Sequence, residues 1–263
     1  RNKEGTRMRA ATECNGCLTV VMPAYNEENT IRKIVKRVLE RPEVGELIIV
    51  NDASRDATWE KLQAFRDESR VRLLNQEINQ GKGAALIRGF KEATKPFVMV
   101  QDADFEYDPD DYPAVLAPLL AGKADVVYGS RFMATPGQVR YFHHEMGNKF
   151  LTFLSNFFSD IHLSDMETCY KAFRREVIQN LKLESKRFGI EVELTAKLAR
   201  SRRLRIWEVP ITYNPRRYDE GKKIGWRDGV AALCHIIHYN VFNSDEKSFV
   251  RPWDEVLTPE PAE

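Results

Sequence analysis

The sequence predicts an α/β chain whose central sheet is mostly parallel and flanked by helices. Apolar runs of strand length recur at 18–22, 46–50 and 96–100. Each ends in acidic, turn-forming residues: Pro23-Ala24-Tyr25-Asn26-Glu27-Glu28, Asn51-Asp52-Ala53-Ser54-Arg55-Asp56 and Gln101-Asp102-Ala103-Asp104. Helical patterns separate the runs. Strands alternating with helices build parallel sheets, and such sheets bind ligands outside the carboxyl ends of their strands.

Taken in order, residues 1–16 are polar without periodicity and read as a flexible tail. After the first strand, Glu28 to Glu40 places Ile31, Ile34, Val35 and Val38 on one helical face. The second strand leads to a helix from Ala57 to Glu68, with Trp59, Leu62 and Phe65 spaced by three. Val71-Arg-Leu-Leu is a short third strand, and Gly81-Lys82-Gly83 opens a helix that runs to Ala93. The fourth strand precedes a helix from Asp110 to Leu120. A fifth, Asp125 to Tyr128, ends in Gly129-Ser130-Arg131-Phe132. The character then changes to an aromatic helix with Phe150, Phe153, Leu154, Phe157 and Phe158. Helices from Phe173 to Leu181 and Ile190 to Ala199 follow, then a strand from Leu204 to Val209, a basic loop at 214–226 and an amphipathic helix from Asp228 to Phe242. The proline-bearing residues 244–263 read as a disordered tail.

The 263 residues are 43% hydrophobic and 30% charged, enough for one large domain with a full core. Forty basic residues face 39 acidic ones for a net charge of +1, a balance that argues against a nucleic-acid binder. No run of 18 apolar residues is present. Cys14-Asn-Gly-Cys17 has a C-x-x-C spacing, but zinc needs a second pair, and Cys169 and Cys234 lie far apart. Reduced, incidental thiols and a cytoplasmic location are the expectation.

The chemistry concentrates where strands end. Asp102 and Asp104 point the same way by the period of a strand. Their hard oxygens suit Mg²⁺ or Mn²⁺, which then grips substrate phosphates. Backbone N–H groups at the start of the helix near Lys82 favour anions, although the spacing is not that of a Walker A loop. Arg131 carries a planar guanidinium suited to phosphate. Arg140, Arg216, Arg217, Lys222 and Lys223 are further phosphate candidates, the later ones forming a lid between prolines and glycines. Asp165 is a candidate base toward an acceptor hydroxyl, with Glu191 and Glu193 as rivals; a phosphate acceptor would need no base. His143-His144 reads as surface. The stripe of Phe150, Phe153 and Phe157 is either packed core or a platform for a lipid chain or bilayer.

In order, P-A-Y-N-E-E, N-D-x-S-x-D, G-K-G, D-A-D and G-S-R-F resemble the nucleotide-sugar-dependent glycosyltransferases of family 2, which have the GT-A fold. The resemblance implies a nucleotide-sugar-binding half at 17–133, with Pro23, Ala24, Tyr25, Glu27, Asp52, Lys82, Asp102, Ala103 and Asp104 around the donor. Within it, Asp52 takes the base, Glu27 lies near the ribose, and Asp102 with Asp104 meets the metal. Residues 134–243 become the acceptor half, with Asp165 facing the acceptor. The resemblance also implies inversion at the anomeric carbon. The later motifs D-x-x-T-C-Y-K, F-G-I-E-V-E and E-V-P-I-T-Y are similar to those of polyprenyl- or dolichyl-phosphate hexosyltransferases. They imply UDP-glucose or GDP-mannose as donor, a lipid-phosphate acceptor, and peripheral contact with the inner face of a membrane. A hydroxyl acceptor and a non-catalytic nucleotide-sugar-binding module are the alternatives. Oligomeric state is left open.

Overall fold

The computed structural model describes residues 14–133, 142–215 and 226–257. Its strands are β1 Leu18–Ala24, β2 Val44–Asn51, β3 Val71–Asn75, β4 Phe97–Val100, β5 Val126–Ser130, β6 Lys171–Arg174 and β7 Ile206–Pro210. They form one sheet in the order β3-β2-β1-β4-β6-β5-β7. Strands β3, β2, β1 and β4 are mutually parallel, and β7 runs parallel to β5. Only β6 is reversed, antiparallel to β4 on one side and β5 on the other. The ends of β1, β2, β4 and β5 therefore share one edge, and the residues just before β6 arrive at that same edge.

β6 was not expected. A helix was predicted from Phe173, but it starts only at Arg175. Lys171-Ala-Phe-Arg fills the gap between β4 and β5, with Ala172 and Phe173 fully buried. Four residues are too few for a periodic signal, so tertiary pairing decides the conformation.

The helices are α1 Ile31–Leu39, α2 Thr58–Leu62, α3 Lys82–Glu92, α4 Tyr112–Leu120, α5 Phe142–Ser159, α6 Arg175–Gln179, α7 Ile190–Arg200, α8 Trp226–Val241, α9 Asp245–Ser248 and α10 Trp253–Val256. Alternation along β1 feeds two cores. Val20 and Met22 pack with Ile34, Val35, Val115 and Leu116 of α1 and α4. Val21 packs with Leu86, Phe90, Val192 and Ile236 of α3, α7 and α8. The predicted face of α1 is the buried one: Ile31, Ile34, Val35 and Val38.

Two further expectations change. Residues 245–256, predicted to be disordered, form α9 and α10, with Phe249, Trp253 and Val256 buried in the second core. Those apolar anchors outweigh the prolines around them. Cys14 and Cys17 are joined in a disulfide rather than held as thiols. The half after residue 133 contributes β6 and β7 to the common sheet. Among the described residues, no helix is long and apolar enough to cross a membrane.

Candidate active site

The turns after β1 and β2 are stitched together. Asn26 and Ala53 both adopt left-handed backbone, at φ 53 and 55. Asparagine tolerates this region, whereas alanine is strained there by roughly 1–2 kcal/mol. The strain is held by cross-links. Asn26 N donates to Ser54 Oγ at 3.0 Å, Arg55 N to Asn26 Oδ1 at 2.8 Å, and Glu27 N to Thr58 Oγ1 at 2.8 Å. Asp56 caps both Glu28 N and Thr58 N. Much of the N-D-A-S-R-D motif thus shapes the turn that presents Tyr25 and Glu27 to the cavity.

Asp52 is buried. Its carboxylate accepts from Gln76 Nε2 at 2.8 Å, Gln80 N at 2.8 Å and Gly81 N at 2.7 Å. A carboxylate has about four acceptor positions, so Asp52 anchors the loop into α3 and keeps capacity for one ligand donor. Gly81 follows at φ 98, and a Cβ there would meet the Lys186 carbonyl at 2.4 Å. Only glycine fits this approach.

Lys82, expected to meet the donor's anion, is instead paired internally. Its Nζ lies 2.8 Å from Asp102 Oδ1, 2.8 Å from Cys169 Sγ and 3.6 Å from Glu191 Oε1. Burial pushes the ammonium pKa down, but Asp102, Cys169 and Glu191 outweigh it and hold the value well above the ordinary one. Glu191 in turn holds the fully buried Lys171. A chain of alternating charge therefore runs Asp102–Lys82–Glu191–Lys171. Glu193, the other rival acid, pairs with Lys197 at 2.6 Å and accepts from Glu184 N and Ser185 N, so it serves the backbone.

Asp165 is not among the residues that line the cavity. It is 0% exposed and grips Arg131, with Nε to Oδ2 and Nη2 to Oδ1 both at 2.7 Å and Arg131 N to Oδ2 at 3.0 Å. Such a bidentate pair fixes the guanidinium plane. Arg131 lies over the Tyr213 ring at 5.2 Å and lines the cavity, while Asp165 sits behind it. The carboxylate read as a candidate base is thus held by Arg131 behind the cavity wall.

One cavity of about 370 Å³ brings together Pro23, Ala24, Tyr25, Glu27, Asp52, Lys82, Asp102, Ala103, Asp104 and Arg131. Arg140, Arg216, Arg217, Lys222 and Lys223 lie outside the described residues. The sequence reading passed over Glu167, Arg187, Phe188 and Tyr213, which also line the cavity. Glu167 was hidden by its neighbour: D-M-E carries two acids, and the first drew the role. His143 and His144 are exposed on α5, as expected of surface residues. Phe150, Phe153 and Phe157 are 54%, 63% and 72% exposed, which removes the packed-core reading; α5 buries Thr152 and Ser155 instead.

Among the described residues no three His, Cys, Asp or Glu side chains gather as a metal cluster. Two carboxylates at one strand end nevertheless fit Mg²⁺ or Mn²⁺, which keep waters and complete their coordination with substrate phosphates.

The glycosyl transferase family 2 profile matches residues 19–182. The chain is 29% identical over 217 residues to the dolichol-phosphate mannosyltransferase of Pyrococcus furiosus, covering 79% of this chain and 59% of that protein. It is 30% identical over 225 residues to the undecaprenyl-phosphate mannosyltransferase of Micrococcus luteus, covering 81% of this chain and 90% of that one. Among solved structures, the glucosyl-3-phosphoglycerate synthase of Mycobacterium tuberculosis, in complex with Mn²⁺, uridine-diphosphate and phosphoglyceric acid, aligns with a TM-score of 0.68 at 20% identity. That alignment covers 91% of this chain and 83% of the other, and it shows a shared GT-A architecture.

Proposed function

The chain belongs to glycosyl transferase family 2 and is a glycosyltransferase, and from that premise we propose that it moves a hexose from a nucleoside-diphosphate sugar to a polyprenyl or dolichyl phosphate. The observation that carries the reading is the convergence of Asp102, Asp104 and Arg131 with Tyr25, Glu27 and Asp52 in one cavity at the carboxyl edge of the sheet. The relatives named as lipid-phosphate mannosyltransferases support the acceptor class and favour mannose as the sugar.

Tyr25, Glu27 and Asp52 receive the nucleoside, with Pro23 and Ala24 supplying backbone beside it. Mg²⁺ or Mn²⁺ held by Asp102 and Asp104 would neutralise charge on the departing diphosphate. Lys82 offsets the charge of Asp102, and Arg131, fixed by Asp165, offers its guanidinium to phosphate in a buried setting where it counts for more than in water. The acceptor oxygen attacks the anomeric carbon opposite the leaving diphosphate, which inverts that centre. The apolar stripe of α5 rests on the bilayer that holds the acceptor.

The test is label transfer. Protein with Mg²⁺ or Mn²⁺ receives radiolabelled GDP-mannose or UDP-glucose, with and without polyprenyl phosphate. Label should enter the organic phase with one donor, and chelation or Asp104→Ala should cut the rate at least 100-fold. Binding of both donors without any lipid product would sink the lipid-phosphate reading.

A further inference from the structure

Glu167 stands apart from every other acid in the cavity. Asp52 accepts from three donors, Glu27 from Thr30, Asp104 from Glu106 N and Glu106 from Tyr213, while Asp102 pairs with Lys82 and Glu191 with Lys171. No hydrogen bond or ion pair reaches Glu167 among the described residues, and its Oε1 is buried without a partner. A buried polar oxygen left unmet costs roughly 1–3 kcal/mol, so its retention on a cavity wall calls for a ligand that meets it.

We propose that Glu167 meets the acceptor's phosphate directly and holds it through a shared proton. The inference rests on the phosphate-acceptor reading above. The two cations that bear on Glu167, Arg131 and Lys171, each already hold another carboxylate, Asp165 and Glu191, so neither leaves Glu167 a whole charge of its own. A carboxylate and a phosphate that meet in a buried site cannot both be fully ionised and take one proton between them. The groups are matched for it. A phosphate monoester has a second pKa near 6. Burial, with Glu191 adding to it, pushes Glu167 up to about 7, against smaller opposing effects of Lys171 and Arg131; Asp165 raises it further.

The atoms balance. A phosphate oxygen forms the new bond to the anomeric carbon. The bond to the donor diphosphate breaks, and its electron pair leaves with the nucleoside diphosphate. The product is a phosphodiester with one negative charge and no use for the shared proton, which ends on Glu167 and passes to water as product departs.

The experiment compares wild type with Glu167→Gln, whose amide donates at any pH. In wild type, kcat/KM for polyprenyl phosphate should fall about tenfold per unit above pH 7, as the last shared proton is lost. In Glu167→Gln that falling limb should vanish. An unchanged limb would overturn the proposal. So would a wild-type rate that rises with pH alongside a variant dead at every pH, because that pattern is a base acting on a hydroxyl. Failure of wild type to label any lipid phosphate would instead overturn the parent reading.

A second measurement needs no turnover. The folded pKa is raised, so the penalty for ionising Glu167 is absent below pH 4.5, its ordinary value, grows as pH rises, and is complete above about 7. The melting temperature of Glu167→Gln should therefore gain on wild type between pH 5 and 8. Parallel curves would show that the carboxyl is not held as the geometry describes.

Discussion

Arg131 and Asp165 show how a motif residue acquires its role from a neighbour it cannot be seen to have. G-S-R-F supplies the arginine and D-M-E-T the acid, 34 positions apart, and only the reversal of β6 brings them together. The pair is buried, and breaking one side of a buried pair strands the other charge at a cost of about 3–5 kcal/mol. Asp165→Asn should thus lower unfolding stability by several kcal/mol in urea. The double change Arg131→Met with Asp165→Leu should recover much of that loss while leaving transfer activity abolished. A single Asp165→Asn variant of wild-type stability would remove the positioning role. The sequence made the acid visible but not its direction, because nothing local separates a carboxylate that faces a ligand from one that faces an arginine. Glu167, two residues on, was missed for the same reason: both acids lie in one short loop, and which of them lines the cavity depends on how β6 enters the sheet.

Elements read well where the signal was local and long. β1, β2 and β4 and the apolar face of α1 were legible because burial on both sheet faces writes continuous apolar runs, and a helix packed on one side writes a period. β6 was illegible because its four residues carry no period. The start of α3 lies between these cases. G-K-G was read as an anion-binding turn, yet its glycines are required by packing: a Cβ on Gly83 would sit 2.0 Å from the Ser185 carbonyl and 2.9 Å from that of Arg187. Both partners are backbone and cannot swing away. Gly83→Ala should therefore force α3 off the 185–187 segment. That segment carries Arg187, and leads directly to Phe188, at the cavity wall, so the variant should lose about 1–3 kcal/mol of stability and raise the KM for acceptor more than that for donor. Equal effects on both substrates would mean that the 185–187 segment does not serve the acceptor.

For the molecule as a whole, the telling feature is a helix that is apolar on its outer side as well as on its inner one, where Leu151 and Leu154 pack against the second core. α5 carries Phe142, Met146, Phe150, Phe153 and Phe157 at helical spacing on its outer side and buries Thr152 and Ser155. α8 packs beside it and exposes Val230, Ile237, Val241 and the adjoining Phe242. Periodicity finds such a helix but cannot say which face the core takes, so the stripe read first as packed core, with a lipid platform as the alternative. A stripe of aromatic side chains lying flat on a bilayer gains apolar burial that water denies it. The acceptor chain proposed for this enzyme lies in that same bilayer. Phe150→Ser, Phe153→Ser and Phe157→Ser together remove three rings that the fold does not use, so the melting temperature should hold. Sedimentation with vesicles should fall at least tenfold, and the KM for polyprenyl phosphate in vesicles should rise by a similar factor. Turnover with a short-chain, water-soluble polyprenyl phosphate should stay within about twofold, since no ring of the stripe lines the cavity. Undiminished vesicle binding, or a wild-type dimer in solution that the triple variant converts to monomer, would show that the stripe meets something other than lipid.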